Sequence, residues 1–498
     1  MTVHTSAARA RAVALKSAPS TTPADPVRFV AGRFGFGALN ASPTTIAAAV
    51  PRDADLWFED QVAKAAQYAG YGGVPGLVEA FPTIAMTPYE TRQWLIAVRR
   101  NEWVLDACDH VERATLVLQA WSPAQLYEAT VDFFSNHLNV ANGMVNTWCA
   151  RGDYDRTVVR AHAFGKFRDM LVASSKHPAM LIYLENAYSL KDSLNENYGR
   201  ELLELHTLGS QAGYSQADVV DSARAMTGRL VEFSRTRYLY NMNQRLTGPL
   251  RILGFTDPNT DARKGEAVGD RYLGYLATHP ATATNLARQL CIRFVSDSPS
   301  TTLVEAVANA YLANDTAILP MLQTIVRSSE FWSSGGAKVR RPYEALAATL
   351  RAVGARPGPD LAATGATLST LAGALGQRPL GWLTPNGYPD SATAWATAGA
   401  FSSQWRFQYN LVAGQYSSTL TLPDAATFVG GAASGTVSDA LDAMCTSLLG
   451  QPPTDAARRA YLDYLGDDGT TPFRDSAFAA QTRAVAALIL HSPSHTVR

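Results

Sequence analysis

The 498-residue chain carries little charge. Lysine, arginine, aspartate and glutamate make up 17% of it, against roughly 25% in typical soluble domains, and 43 basic residues balance 43 acidic ones. Nucleic-acid binding needs clustered lysine and arginine side chains that neutralise phosphates. Because the chain has neither an excess of positive charge nor a dense basic run, we do not expect it to bind nucleic acid.

Cysteine is also scarce. The four cysteines, Cys108, Cys149, Cys291 and Cys445, lie far apart and form no Cys-x-x-Cys pair. No Cys/His spacing of a zinc module is present either. We expect four buried free thiols.

Long apolar runs are missing. No stretch approaches the ~20 apolar residues that a membrane-spanning helix needs, and no apolar segment of roughly 7–15 residues follows Arg9 and Arg11, as it does in a secretory leader. We therefore expect a cytoplasmic protein without a membrane span.

Common enzyme motifs are absent too. Residues 32–37, with the sequence GRFGFG, match neither the dinucleotide-binding nor the P-loop pattern and are expected to form a turn. The chain has no His-Glu-x-x-His motif and no Gly-x-Ser-x-Gly motif, which argues against zinc proteases of that type and α/β-hydrolases.

The pattern that is present is helical. Ala/Leu-rich segments punctuated by Gly and Pro predict a mainly α, multi-helix protein with long irregular loops and at most a small β-hairpin, which would lie within 229–270. Residues 1–26 are rich in Ala, Ser, Thr and Arg and are expected to form a flexible arm. We expect a helical core over 27–353 that carries the site and a C-terminal helical portion over 354–498, with the Gly/Ala/Thr-rich stretch 354–378 as the link.

Three helix starts have local causes. Ser215 and Asp218 form a short capping box before an apolar run, and Gly228 is a stop signal. Pro178 after His177 and Pro280 after His279 suit the first turn of a helix, where a missing N–H costs nothing.

The most informative stretch is residues 195–209, NENYGRELLELHTLG. At helical spacing it has an apolar stripe beside a polar arc made by Glu196, Asn197, Arg200 and Glu204. Because Glu196, Arg200 and Glu204 are spaced i, i+4 and i+8, we expect the Arg200 guanidinium to bridge both carboxylates. His206 is expected to project away from this arc.

This polar arc has two interpretations. It is either a solvated helix face or one wall of a cleft in which an arginine-anchored carboxylate stays ionised and another transfers protons. A second cluster, Asn136 and His137, interrupts an apolar segment, and Asn136 or Asn139 is expected to orient His137 or the substrate. On the cleft interpretation, the catalytic candidates are His137, Tyr198, Glu204 and His206, and the substrate-binding candidates are Asn136, Asn197, Arg200 and Glu201.

No metal or cofactor is assigned from the sequence. Helical carboxylate sites usually show Glu-x-x-His, whereas here Glu201 and Glu204 are followed by His206, which does not share a face with Glu204.

Several stretches resemble the DUF1800 family, a large bacterial family known only as a domain of unknown function. The matching stretches are GRFGFG at 32–37, NHLNV at 136–140, HPAMLIYLEN at 177–186, NENYGRELLELHTLG at 195–209, ARAMTG at 223–228, HPATATNLARQLCIRFVSD at 279–297 and GQRPLGWLTPNGYPDSATAW at 376–395.

The resemblance implies that residues 27–498 form one large family unit, and its recurring polar positions coincide with the candidate site residues. Many relatives look exported. Two positions depart from the family pattern: Arg229 replaces a usual Trp, and Arg245-Leu246 replaces a His-Asp-like pair. If that pair holds a metal or reacting group in relatives, the chemistry here is altered or lost.

Three functions remain open. The first is acid/base catalysis, by elimination or hydrolysis, on a polar or anionic small molecule or a saccharide. In an elimination, Asn136 and Arg200 would neutralise a carboxylate while His137 or Tyr198 removes the α-proton. The second is an iron- or haem-dependent oxidoreductase with histidine ligands. The third is a non-catalytic binding or scaffold protein. The oligomeric state is undetermined.

Overall fold

The computed structural model describes residues 25–39, 52–98, 105–144 and 147–498. It is 62% helical, so the prediction of a mainly α protein is confirmed. The predicted flexible arm lies outside the described residues except for its last two. Asp25 caps the first helix, which begins at Pro26.

The described helices of the first three hundred residues include those that carry the candidate residues. They are α1 (Pro26–Arg33), α2 (Arg52–Tyr68), α3 (Leu77–Ala80), α4 (Pro88–Val98), α5 (Leu105–Trp121), α6 (Gln125–His137), α7 (Arg151–Tyr154), α8 (Phe167–Ser175), α9 (Pro178–Tyr183), α10 (Asn197–Glu201), α11 (Gln216–Met226), α12 (Gly265–Thr278) and α13 (Pro280–Phe294).

The remaining helices continue to the C-terminal end of the described chain. They are α14 (Thr301–Ala313), α15 (Ile318–Arg327), α16 (Ser329–Trp332), α17 (Pro342–Ala352), α18 (Leu361–Ala374), α19 (Ala392–Trp395), α20 (Ala398–Val412), α21 (Val437–Leu449), α22 (Asp455–Leu465), α23 (Ala477–Leu490) and α24 (Pro493–Thr496).

Two helices run directly into π-helical turns, at Asp155–Arg160 after α7 and at Leu202–His206 after α10. Short 3-10 turns lie at Pro82–Ala85, Asn186–Tyr188, Met242–Gln244, Ala262–Lys264, Ala425–Phe428, Gly430–Ser434 and Phe473–Asp475.

Strands are few and short. In the described residues, β1 (Arg229–Glu232) pairs with β2 (Arg237–Tyr240), β3 (Leu250–Ile252) with β4 (Phe255–Asp257), and β5 (Arg356–Pro357) with β6 (Leu420–Thr421), all antiparallel. The segment 229–270 therefore contains two hairpins, one more than we expected.

The predicted helix starts are confirmed. Ser215 and Asp218 form a reciprocal capping box at the start of α11. His177 and His279 cap α9 and α13, and each imidazole Nδ1 accepts a hydrogen bond from the backbone N–H two residues on, at 3.1 Å. These caps form because they need only neighbouring residues.

The segment 354–378 is not a simple link. It contains α18, which packs against α5. The Ser369 hydroxyl donates to the Glu112 carboxylate at 2.6 Å, and Arg378 Nη1 lies 3.2 Å from the same oxygen. The interpretation as a linker is wrong because this helix completes the core, and one apolar cluster includes residues from both sides of position 353. The division at that position stays a prediction.

A buried ion cluster joins α6, α13, α17 and the last described residue. The Glu344 carboxylate forms ion pairs with Arg293, Arg341 and Arg498, with Arg293 Nη1 at 2.6 Å and Arg341 Nη2 at 2.8 Å. Asp132 on α6 pairs with Arg341 and accepts from the Tyr343 hydroxyl at 2.7 Å. Burial opposes ionisation, but the three arginines outweigh it and hold the pKa of Glu344 well below its usual range.

All four cysteines are buried free thiols, as predicted. Among the described helices, none combines the length and the apolar character that crossing a membrane requires.

Replacing Glu344 by glutamine leaves three arginines without their shared anion. Because the unpaired charges stay buried, we expect the free energy of unfolding at neutral pH to fall by about 3–5 kcal/mol. The folded-state pKa of Glu344 is lowered, so its stabilisation is present above the unfolded pKa near ~4.5 and is lost as the pH falls. The difference in the free energy of unfolding between wild type and Glu344→Gln should become smaller at acid pH. Urea denaturation at several pH values measures it.

The matched control is Glu305→Gln on α14, where the side chain is exposed. Equal stability of Glu344→Gln and Glu305→Gln at neutral pH would show that the cluster is not stabilising.

Candidate functional site

The stretch 195–209 forms a short α-helix followed by a π-helical turn. Gly199 lets α10 pack closely on α11: a Cβ added there would lie 2.6 Å from the Ala223 nitrogen. The Ser222 hydroxyl donates to the Gly199 carbonyl at 3.0 Å. The next turn, Leu202–His206, is widened by i→i+5 bonding. Glu201 is thus the last residue of regular helix, and Glu204 lies within the widened turn.

Arg200 does not bridge two carboxylates. Its Nη2 lies 3.3 Å from the Glu196 carboxylate and donates to the Gln216 amide oxygen at 3.0 Å. The Glu204 carboxylate instead accepts from the Tyr214 hydroxyl at 3.1 Å. The predicted double bridge is wrong because the π-turn rotates Glu204 away from the spacing of a regular helix, and Gln216 from α11 takes the second place at the guanidinium.

His137, the last residue of α6, is buried against the π-turn. Its Nε2 lies 3.0 Å from the His206 carbonyl oxygen, and its Nδ1 lies 3.0 Å from the Gln289 amide oxygen. Burial lowers the pKa of His137, and the hydrogen bonds to Gln289 and the His206 carbonyl oppose that shift. A neutral imidazole donates only one hydrogen bond, so one of these contacts requires either the imidazolium or the reversed Gln289 amide, which would donate to Nδ1.

The His206 ring is packed inside the protein. It is 1% exposed, and neither ring nitrogen has a hydrogen-bond partner among the described residues. The Tyr198 ring meets it edge-on, with the centroids 6.5 Å apart. Burial, and then the neighbouring His137, lower the pKa of His206 to about 3. The ring is therefore neutral at physiological pH.

Asn136 and Asn139 hold a different partner from the one expected. The Asn136 amide donates to the Tyr388 carbonyl at 2.9 Å and accepts from the Tyr388 N–H at 2.7 Å. The Asn139 amide donates to the carbonyls of Trp382 and Thr384 at 3.0 and 2.8 Å. Both asparagines thus hold the segment 382–388. Because Gln289 and the His206 carbonyl hold His137, the expectation that Asn136 or Asn139 orients His137 is wrong. The alternative, that one of them orients the substrate, stays a prediction.

That segment approaches Asn136 very closely. Gly387 has a φ of 67°, and a Cβ there would lie 2.4 Å from the Asn136 backbone oxygen. Only glycine combines this left-handed backbone with this contact.

Sequence analysis did not identify the residues that hold His137. Gln289 donates to Asn285 at 3.1 Å, and Asn285 donates to the Thr207 carbonyl at 2.8 Å, which ties α13 to the end of the π-turn. The available signal was their i, i+4 spacing on α13, with Leu286 and Leu290 directly after them.

Four segments meet beside the π-turn. The Tyr183 hydroxyl, at the end of α9, donates to the Leu383 carbonyl at 2.8 Å and interacts with Asn139. Burial, and then the charge of Glu201, raise the pKa of Tyr183 to about 12. We call Asn139, Tyr183, Glu201, Glu204 and the segment 382–388 the Glu201 cluster. Tyr183, Glu201 and Glu204 are each half-buried.

Glu201 is the least satisfied carboxyl of this cluster. It accepts no hydrogen bond from the described residues. Burial and then Glu204 raise the pKa of Glu201, and Arg200 opposes the rise. A carboxyl group whose proton is retained closer to neutral pH is suited to proton transfer.

Asn197 and Tyr198 lie on the same short helix but face structural partners. The Asn197 amide donates to the Leu184 carbonyl at 3.4 Å, which links α10 to the end of α9. Tyr198 is 1% exposed, and burial raises the pKa of its hydroxyl. The catalytic and binding roles predicted for Tyr198, Asn197, His137 and His206 stay predictions.

The two positions that depart from the family pattern are buried arginines with several partners. Arg229 donates to Ser175 and Asp270, both at 2.7 Å. Arg245 donates to the Asn259 amide oxygen and the Ala225 carbonyl. Both guanidinium groups support the hairpins and the end of α11.

Metal-ligating residues do not gather here. Within 25–39, 52–98, 105–144 and 147–498, no three His, Cys, Asp or Glu side chains are placed to hold a metal ion. Both nitrogens of His137 are already engaged.

The environment of Glu201 predicts how its pKa responds to its neighbours. Carbon-detected NMR titration should find a midpoint above the ordinary value near ~4.3. Glu204→Gln should lower the midpoint because it removes a like charge, and Arg200→Gln should raise it because it removes an opposite one. Exposed Glu305 is the internal control. If neither substitution shifts the titration midpoint of Glu201, the described arrangement of charges is contradicted.

The buried, unpaired His206 predicts an acid-sensitive contribution to stability. Its folded-state pKa is lowered, so the unfolded chain takes up the proton first and stability is lost as the pH falls below ~6.5. Between pH ~7 and ~5 this loss is on the order of 2 kcal/mol. His206→Leu should therefore be as stable as wild type at neutral pH and more stable at the lower pH, by chemical denaturation. Equal acid sensitivity of the two proteins would contradict the neutral, unpaired ring.

Residues 30–497 match the family model described as a protein of unknown function, DUF1800. The chain therefore belongs to that family, as the sequence motifs indicated. Neither the curated proteins nor the solved structures include a match to the chain.

Proposed function

We propose that this member of the DUF1800 family is an enzyme that transfers protons at the Glu201 cluster and acts by hydrolysis or elimination on a neutral, polyhydroxylated small molecule such as a saccharide. The observation that carries the proposal is the state of Glu201: a half-buried carboxyl group without a hydrogen-bond donor, beside the carboxyl group of Glu204.

Two neighbouring carboxyl groups with different surroundings suit acid/base catalysis. Burial and Glu204 raise the pKa of Glu201, so Glu201 is the proton donor. Glu204 accepts a hydrogen bond from Tyr214 and serves as the proton acceptor. Pairs of carboxyl groups in unlike environments perform these two roles in glycoside-cleaving enzymes. Glu201, predicted from the sequence to bind substrate, takes the acid role in this proposal.

The irregular helix supports a functional interpretation. Turns of π-helix are rare, and they occur frequently at functional sites. Here the π-turn separates Glu204 from Arg200, so the guanidinium neutralises Glu196 and not Glu204. A regular helix would have brought Arg200 and Glu204 one turn apart.

Charge favours a neutral substrate over an anionic one. The two neighbouring carboxyl groups offer an anion no positive partner, and Arg200 is already held by Glu196 and Gln216. The Asn136 amide is likewise engaged at both ends by Tyr388. The carboxylate-anchored elimination, which needs Arg200 and Asn136 free, is thus the less favoured form of acid/base chemistry.

Aromatic rings lie on the segment that Asn139 and Tyr183 hold in place. Trp382 contacts Tyr388 with ring centroids 5.0 Å apart, and Tyr388 contacts Trp395 at 5.8 Å. All three are half-buried. Aromatic rings of this kind combine an apolar body with a polar tip, which suits the C–H faces and hydroxyl groups of a sugar ring.

A panel of neutral oligosaccharides, incubated with the full chain and analysed by mass spectrometry, tests the proposal. We expect turnover of at least one member. Glu201→Gln should lower kcat by about a hundredfold or more, since a positioned acid contributes roughly 10²–10⁴. The rate of wild type should fall as the pH rises through the raised pKa of Glu201, because the acid form is consumed.

Glu305→Gln on α14 is the control and should keep full activity. Turnover that Glu201→Gln leaves unchanged would refute the assigned acid. A folded protein that converts no member of the panel would favour the binding or scaffold interpretation.

A further inference from the structure

A cavity lies apart from the Glu201 cluster, between α1, α17, the end of α21 and residues 494–498. It has a volume of about 550 Å³, within the range of roughly 300–1,000 Å³ that small-molecule sites occupy. None of its lining residues belongs to the Glu201 cluster.

The lining of this cavity is positively charged. Arg28, Arg340 and Arg498 line it, and Asp25 is the single acidic side chain among the described lining residues. The Asp25 carboxylate is occupied as the cap of α1, where it accepts from the Arg28 N–H at 2.9 Å. His495 adds no charge, because burial and then Arg340 lower its pKa to about 3. The cavity therefore has three guanidinium groups in its lining and only one acidic side chain, Asp25.

Arg340 has donor capacity that the described residues do not use. Its Nε donates to the His495 carbonyl at 2.9 Å. Its Nη1 is shielded from water and has no hydrogen-bond partner in the part of the chain that the structure describes. Its Nη2 also donates to none of the described residues. This atom lies close to Gly32, 3.7 Å from where a Cβ would stand if the residue were not glycine. A buried guanidinium with open donors is costly unless an acceptor is supplied.

Arg498 adds another guanidinium to the same wall, although its Nη2 pairs with Glu344. Its Nη1 donates to the Gly32 carbonyl at 3.2 Å, while its Nε is buried without a partner. Burial lowers the pKa of Arg340 to about 10 and that of Arg498 to about 9, although Glu344 opposes both shifts. An anion in the cavity would supply negative charge close to these two guanidinium groups and would favour their charged forms.

The adjoining stretches of sequence cannot supply that anion. Residues 1–24, before α1, contain no aspartate or glutamate, and neither do residues 40–51. An external anion is therefore the fitting partner.

The rest of the lining includes an apolar wall. It is formed by Phe29 of α1, Ala348 and Ala352 of α17, and Leu449 and Val497. A ligand that fits both walls has an acidic group and an apolar body.

We propose that this cavity binds an organic oxyanion, whose carboxylate or phosphate group pairs with Arg340 beside Arg498 and whose apolar body lies against Phe29 and Ala352. A guanidinium presents two parallel N–H donors, which matches either headgroup. This site is independent of the Glu201 cluster.

Calorimetric titration of the full chain tests the proposal with three probes of the same apolar body: benzoate, phenyl phosphate and uncharged benzyl alcohol. We expect at least one of the two anions to bind at least about tenfold more tightly than benzyl alcohol. The stronger of the two identifies the headgroup as carboxylate or phosphate. Inorganic phosphate should compete with it.

Arg340→Gln should weaken binding of the preferred anion by about tenfold or more. Arg340→Lys keeps the charge but loses the paired donors, and we expect an intermediate affinity. The control is Arg263→Gln, which removes one positive charge from an exposed 3-10 turn and should bind as wild type does.

Two results would overturn the proposal. One is that neither anion binds better than benzyl alcohol at millimolar concentrations. The other is that Arg340→Gln, or Arg340→Lys if the glutamine variant does not fold, binds the anion with wild-type affinity, which would place the binding elsewhere on the protein.

Discussion

The fold depends on keeping Glu344 ionised where water does not reach it. Arg293, Arg341 and Arg498 each contact its carboxylate, and they come from α13, α17 and the last described residue. Because a buried charge without its partners is far more costly than a paired one, these segments are fixed relative to one another. Asp132 extends the constraint to α6, the helix that ends at His137.

The ion cluster also reaches the segment that covers the candidate site. Lys338 pairs with Asp390 at 2.9 Å, and Asp297 accepts from the Ala392 N–H at 2.7 Å. The other end of this segment is held by Asn136 on α6 and by Asn139 just after that helix. The aromatic residues of 382–395 are thus positioned by buried polar contacts at both ends, although few of them lie in regular secondary structure.

The two candidate sites differ because their charges are left unbalanced in opposite directions. At the π-turn, Arg200 is held by Glu196 and Gln216, and burial and then Glu204 raise the pKa of Glu201. In the cavity beside α1, Glu344 is shared among several arginines and leaves Arg340 without a carboxylate of its own. Neighbouring carboxyl groups favour neutral or cationic ligands, whereas a basic cavity favours anions.

Local chemistry in the sequence determined the mainly α character, the capped starts of α9, α11 and α13, the hairpin region and the family, because periodicity, caps and motifs involve residues close along the chain. The tertiary structure decided the partners. Gln289 holds His137 from 152 positions away, Gln216 replaces Glu204 at Arg200, and the Gly/Ala/Thr-rich stretch becomes α18 because α5 offers it a buried face. Such pairings depend on which faces pack together, and a π-turn that shifts one side chain changes them without any change in the local pattern.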